Sequence, residues 1–66
     1  MADIIIYTKD YCPYCTKAKD ILTRKGQTYE EIDVTHDDDL KWEMVKKAGG
    51  RKTVPQIFIN DQHIGG

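Results

Sequence analysis

Cys12 and Cys15, separated by Pro13 and Tyr14, are the two cysteines of this 66-residue chain. Two thiols at that spacing can close a disulfide, take part in thiol–disulfide exchange, or supply half of a metal site. The residues around them favour exchange. A strand-like run precedes them and a helix-like run comes after, which puts Cys12 at a helix N-cap. There it meets unpaired backbone N–H groups and the positive end of the helix dipole. Both favour thiolate over thiol, and Lys9, three residues upstream, adds a cation. Cys12 is therefore the expected nucleophile and the better leaving group. Cys15 falls one helical turn later. It is expected to point inward, to keep a more ordinary pKa, and to attack second. Pro13 removes one donor and stiffens the turn between the sulfurs.

Other chemistries fit the residues less well. Two structural core cysteines are one rival. Zinc is another, and it would need His36 and His63, which are not spaced as a ligand pair and have no second close pair to join. Asp33 and Asp37 resemble a carboxylate pair, but turn and capping roles account for both. Trp42 and Met44 read as packing residues, His36 as a solvated cap residue and His63 as structural. Tyr11 beside the motif is a candidate for lining a substrate groove.

The elements that must position the cysteines can be read from the hydrophobic pattern. Residues 3–8 read as a strand with a continuous apolar run from Ile4 to Tyr7, as in a strand covered on both faces. Residues 13–25 read as a helix with Pro13 at its first position, Ala18, Ile21, Leu22 and Lys25 at helical spacing, and Gly26 just past its end. Residues 28–34 read as a second strand. Residues 37–48 read as a second helix, with Leu40, Met44, Val45 and Ala48 on one side. Its aspartates Asp37, Asp38 and Asp39 sit at the positive end and Lys46 and Lys47 at the negative end. Residues 56–60 and 62–64 read as two strands joined by a turn at Asn60 and Asp61. The order is β-α-β-α-β-β, an α/β domain spanning residues 1–66 with two parallel strands and a final antiparallel hairpin.

Composition narrows the function. Hydrophobic residues are 39% and charged residues 32%, above the common level of about 25% charged but sufficient for a core. The formal net charge is -1 with no basic stripe, so nucleic-acid and membrane-surface binding gain no support. No run approaches the roughly 20 apolar residues of a membrane span. The start of the chain lacks the cationic and cleavage features of a signal peptide. A close cysteine pair without such a signal places the expected chemistry in the cytoplasm.

Three motifs in this order resemble the dithiol glutaredoxins of bacteria. They are Tyr7-Thr8-Lys9 leading into Cys12-Pro13-Tyr14-Cys15, then Thr53-Val54-Pro55-Gln56-Ile57-Phe58-Ile59, then Gln62-His63-Ile64-Gly65-Gly66. The resemblance runs the length of the chain. It implies a thioredoxin-like fold with a mixed four-stranded sheet, and reduction of protein disulfides and glutathione mixed disulfides. It also implies a cis Val54–Pro55 bond, with Val54 turned toward the cysteine loop so that a bound disulfide pairs with it like an added strand. Lys9 and Tyr14 match positions the family uses for glutathione, and Arg51 with Thr53, Val54 and Pro55 completes the candidate set. A Lys or Arg suits the glycine carboxylate of this anionic tripeptide.

In the family, the paired glycines are followed by an acidic turn and a last helix, and the sequence stops before both. The expectation is a glutaredoxin fold with its final helix absent, and a weak homodimer formed through uncovered apolar surface. Two further readings stand beside the enzyme. One is glutathione-assisted sharing of a [2Fe-2S] cluster by two chains through Cys12. The other is a regulatory decoy that keeps the motif without turnover.

Overall fold

The computed structural model describes residues 3–65. The elements are β1 (Ile4–Thr8), α1 (Pro13–Arg24), β2 (Glu30–Asp33), α2 (Asp38–Lys47), β3 (Gln56–Ile59) and β4 (Gln62–Gly65). Met1, Ala2 and Gly66, part of the domain expected over residues 1–66, lie outside the described residues. The expected order of elements is the observed one. Strand order across the sheet is β2-β1-β3-β4, with β1 parallel to β2 and antiparallel to β3, and β4 antiparallel to β3.

Directly paired residues share a sheet face. Ile5 pairs with Phe58, Tyr7 with Gln56 and with Ile32, so these residues lie on one side. Ile4 pairs with Ile59, Ile6 with Ile57 and with Glu31, and these lie on the other. The helix α2 covers the first face. Met44, Val45 and Ala48 pack with Tyr7, Val34 and Phe58, and the Tyr7 and Phe58 rings meet edge to face at 5.6 Å. The helix α1 covers the second, where Ile4 and Ile6 are buried. A central strand buried on both faces explains the unbroken apolar run from Ile4 to Tyr7.

Several boundaries differ by a residue or two because capping residues are not helical. Asp37 is the N-cap of α2 rather than its first residue, and Lys25 and Ala48 are C-caps. Strand β2 is shorter than expected, since its pairing with β1 begins only at Glu30. Both helices close with a glycine in the left-handed region: Gly26 has φ 71° and Gly49 has φ 70°. The next N–H reaches back to the last turn, from Gln27 to the Leu22 carbonyl and from Gly50 to the Val45 carbonyl. The expected hairpin turn is present, with Asn60 at φ 50° and Asp61 at φ 65°.

Two packing expectations are corrected. Trp42 is 56% exposed and lies beneath the Lys52 ammonium, 5.8 Å from its ring. It sits two residues from buried Met44, on the outward side of the helix. Helix α1 is also covered less deeply than its apolar spacing suggests: Cys15 is its buried residue and Ile21 is 48% exposed. Among the aliphatic side chains, Ile21 and Ile64 are exposed, while Ile57 and Ile59 are half-buried.

Candidate functional site

The chain leaves β1 at Thr8 and enters α1 at Pro13 through a four-residue turn. Tyr11 in that turn is fully exposed with φ 56°, an unfavoured conformation for a bulky side chain. Cys12 then takes the N-cap with extended backbone (φ −122°, ψ 101°), as its place before Pro13 requires. Its Sγ accepts the Cys15 backbone N–H at 3.1 Å, and its carbonyl accepts from Thr16 N–H at 3.1 Å. No acidic side chain occupies the first turn of α1. The sulfur therefore faces the positive end of the helix with no competing carboxylate in that turn.

The two thiols are free and differ in access: Cys12 is half-buried and Cys15 only 2% exposed. Burial, joined by the neighbouring Cys12 thiol, pushes the Cys15 pKa up to about 11. A backbone hydrogen bond from Lys9 and the positive charge of Lys19 act in the opposite direction. This departs from the ordinary value expected from the sequence. The spacing of the cysteines implies the inward direction, but the depth of burial depends on the sheet.

The loop before β3 closes the site. The Val54–Pro55 bond is cis, and the Val54 carbonyl oxygen lies 4.0 Å from Cys12 Sγ. Fully buried Gln56 secures this loop from within. Its Nε2 donates to the Thr53 carbonyl at 2.9 Å and to Thr53 Oγ1 at 3.1 Å, and its Oε1 accepts from His63 Nε2 at 2.6 Å. His63 also packs on Phe58, with ring centroids 5.1 Å apart. A polar chain thus runs from the last strand to the loop beside Cys12. No local pattern marks Gln56 for this role, since only the register of β3 against β4 brings it to His63.

Two hollows flank the cysteine turn. A cleft of about 440 Å³ is lined by Lys9, Asp10, Cys12, Cys15, Lys19 and Glu31, among others. An apolar groove of about 390 Å³ lies between α1 and β3, with Tyr14, Ala18, Ile21, Val54, Pro55 and Ile57 in its walls. The candidate residues are therefore divided. Lys9 shares the cleft with both cysteines, and Tyr11 lines it as well. Tyr14, Val54 and Pro55 border the groove. Arg51 and Thr53 are exposed and line neither. Sequence reasoning misses Lys19 and Glu31, because the strand and helix that hold them meet only in the fold.

The other polar candidates take the structural places expected of them. Asp33 accepts the Thr35 N–H at 2.8 Å and Asp37 accepts the Leu40 N–H at 3.1 Å. His36 is exposed, 4.0 Å from Asp10. Among the described residues no three His, Cys, Asp or Glu side chains gather as a metal site, and no helix is long and apolar enough to cross a membrane.

Comparison with known proteins agrees with this geometry. Residues 4–64 match the family model described as Glutaredoxin. The chain is 53% identical over 64 residues to Glutaredoxin 1 of Rickettsia conorii, covering 96% of this chain and 63% of that protein. It is 50% identical over 66 residues to Glutaredoxin 3 of Escherichia coli K12, covering 100% of this chain and 78% of the relative. Among solved structures, glutaredoxin from Brucella melitensis superposes with a TM-score of 0.83 at 50% identity, over all of this chain and 71% of that one. A buckwheat glutaredoxin–glutathione complex superposes with a TM-score of 0.86 at 29% identity, over 98% of this chain and 61% of that one.

Proposed function

This chain belongs to the glutaredoxin family, and from that premise we propose that it is a glutathione-dependent thiol–disulfide oxidoreductase, with Cys12 as nucleophile and Cys15 as resolving thiol. The observation that carries the reading is the position of the Cys12 sulfur. It caps α1, accepts a backbone N–H at 3.1 Å, and lines an open cleft, while Cys15 is buried one turn behind.

The Cys12 thiolate attacks one sulfur of a glutathione mixed disulfide. A Cys12–glutathione disulfide forms, and the target leaves as thiolate and takes a proton from water. A second glutathione thiolate attacks the glutathione sulfur, releasing oxidised glutathione and the Cys12 thiolate. With a protein disulfide, Cys15 closes on Cys12 instead, and two glutathiones reopen the pair. Lys9 and Arg51 supply charge for the tripeptide carboxylates. Tyr14, Val54 and Pro55 supply its wall, exposed Thr53 precedes Val54 at its rim, and the Val54 backbone pairs with the bound disulfide as an added strand would. The buckwheat relative solved with glutathione supports this choice of co-substrate.

The substrates are glutathionylated and disulfide-bonded proteins. A cytoplasm rich in reduced glutathione is the setting the cycle needs. A [2Fe-2S] cluster shared by two chains would draw only Cys12 from each, and closure of the Cys12–Cys15 disulfide competes with it. A weak homodimer would use apolar surface left uncovered on the sheet or the edge of the final hairpin, where Ile64 is exposed, and sedimentation equilibrium of the reduced chain tests it.

Turnover on a glutathionylated peptide tests the main reading. Cys12→Ser is expected to abolish it, and Cys15→Ser to retain it, because external glutathione resolves that intermediate. Equal loss in both variants would overturn the division of roles.

A further inference from the structure

Resting on the exchange reading above, we propose that Lys19 is a positioning residue for the resolving step: its ammonium, tethered by Glu31, stands over the cleft to support the Cys15 thiolate as it attacks Cys12. Lys19 lies four residues after Cys15 on α1, hence on the same helix face one turn on. Both side chains line the cleft that also contains Cys12 and Glu31.

The ammonium is held in place from the sheet. Lys19 Nζ is 2.9 Å from Glu31 Oε2, and the same oxygen accepts the Thr8 hydroxyl at 2.7 Å. Thr8 is 1% exposed on the central strand. The β1–β2 register puts Glu31 opposite Ile6, on the face that α1 covers, so its carboxylate rises from the sheet toward the helix. A solvated lysine on a helix surface has no such tether. The ion pair itself, with side chains 30% and 38% exposed, adds little to stability. Its consequence lies in where it keeps the positive charge.

Cys15 needs that charge more than Cys12 does. Cys12 has the helix end and a backbone N–H, whereas Cys15 is buried and must become an anion to attack. With its pKa pushed up to about 11, on the order of one thiol in ten thousand is ionised at pH 7. The Lys9 backbone hydrogen bond lowers that barrier most, and Lys19 is the charged side chain whose field adds a smaller push in the same direction. Glu31 first, and the Cys15 anion to a lesser degree, raise the affinity of Lys19 for its proton.

The step balances without an added oxidant. In the Cys12–glutathione mixed disulfide, Cys15 gives its proton to solvent and its sulfur attacks the Cys12 sulfur. The Cys12–Cys15 bond forms and the Cys12–glutathione bond breaks. Glutathione leaves as thiolate and is protonated by water.

A single-turnover experiment separates this step from the first. The reduced chain is mixed with oxidised glutathione at pH 7 and quenched in acid, and mass spectrometry follows the mixed disulfide and then the internal disulfide. Lys19→Gln is expected to slow closure 3- to 10-fold while the mixed disulfide forms within 2-fold of the unsubstituted rate. Lys19→Arg, which keeps the charge, is expected to close within 2-fold. Unchanged closure in Lys19→Gln overturns the proposal. So does an equal slowing of both steps, which would place Lys19 in substrate binding, and so does an arginine variant as slow as the glutamine one. Absence of any mixed disulfide in the unsubstituted chain overturns the exchange reading itself, and this inference with it.

Discussion

The two helices begin with nearly the same backbone and different atoms. Cys12 enters α1 at φ −122°, ψ 101°, and Asp37 enters α2 at φ −136°, ψ 98°. In each, the cap side chain accepts the N–H three residues on, at 3.1 Å. The two starts diverge in their first turns. Helix α2 adds Asp38 and Asp39, so fixed carboxylates answer its dipole. Helix α1 has no acid in its first turn and opens with proline. Its dipole is left to act on a sulfur that can change charge and exchange partners. The fold thus supplies one geometry twice, as a structural cap and as a reactive centre, and residue type decides between them.

Making α1 start as α2 does should have the largest effect. Cys12→Asp is expected to eliminate turnover on a glutathionylated peptide while keeping the cap, so its melting temperature should stay within a few degrees of the parent. Cys12→Ala removes the cap as well and should melt lower, by the equivalent of about 1 kcal/mol. A Cys12→Asp chain that melts no higher than Cys12→Ala would show that the two caps are not equivalent.

The contrast extends to pH. With Cys15 pushed up to about 11 by burial, alkylation at pH 7 followed by peptide mapping should modify Cys12 more than about 100-fold faster than Cys15. Stability should change with pH in a definite direction. A group that holds its proton more tightly when folded contributes fully below its unfolded pKa, and loses that contribution as pH rises through the folded value. The reduced chain should therefore weaken between about pH 9 and 11, and Cys15→Ser, melted in parallel, should lack that part of the decline. Rapid Cys15 alkylation at pH 7 would contradict its burial.

A subtler change gives α1 only part of α2's character. Tyr14→Glu places a carboxylate in the first turn, where it competes with the sulfur for the dipole. Dipole effects of about 0.3–1 kcal/mol correspond to roughly 2- to 5-fold slower alkylation of Cys12 by neutral iodoacetamide. A faster reaction would sink the claim that the acid-free first turn activates the sulfur.

The shared start is half visible in the sequence. Cys12 before Pro13 reads as a cap because proline favours the first helical position and Cys12 ends a strand-to-helix turn. At the second helix, residue pattern alone includes Asp37, one residue too early, since a cap and a first-turn aspartate look alike without dihedral angles. The β-α-β-α-β-β order is legible because each element has its own period and its own stop, such as Gly26 or Asn60-Asp61. Contacts between elements are not. Gln56 meets His63, and Glu31 gathers Lys19 and Thr8, through strand register and helix placement that no local pattern encodes. The depth of Cys15 and the outward turn of Trp42 are hidden for the same reason.

The smallest expected effect bears on whether the two starts are independent. Asp37→Ala removes the side chain that accepts the Leu40 N–H, leaving that donor to water at an exposed position. Loss of such a cap costs about 1 kcal/mol, or roughly 4–8 °C in a domain of this size. The cost falls on α2, which packs its Met44 and Val45 against Tyr7 and Phe58 on the sheet face away from α1. The Cys12 cap instead depends on Cys15 N–H and on the loop around Val54, and the hydrogen bonds of Asp37 run to neither. Cys12 alkylation in Asp37→Ala should therefore proceed within about 1.5-fold of the parent rate below the melting transition, since a cap acts only over the first turn of its own helix. A rate that falls along with the melting temperature would mean that the sheet carries strain from one helix start to the other, and that the structural cap helps to set the reactive one.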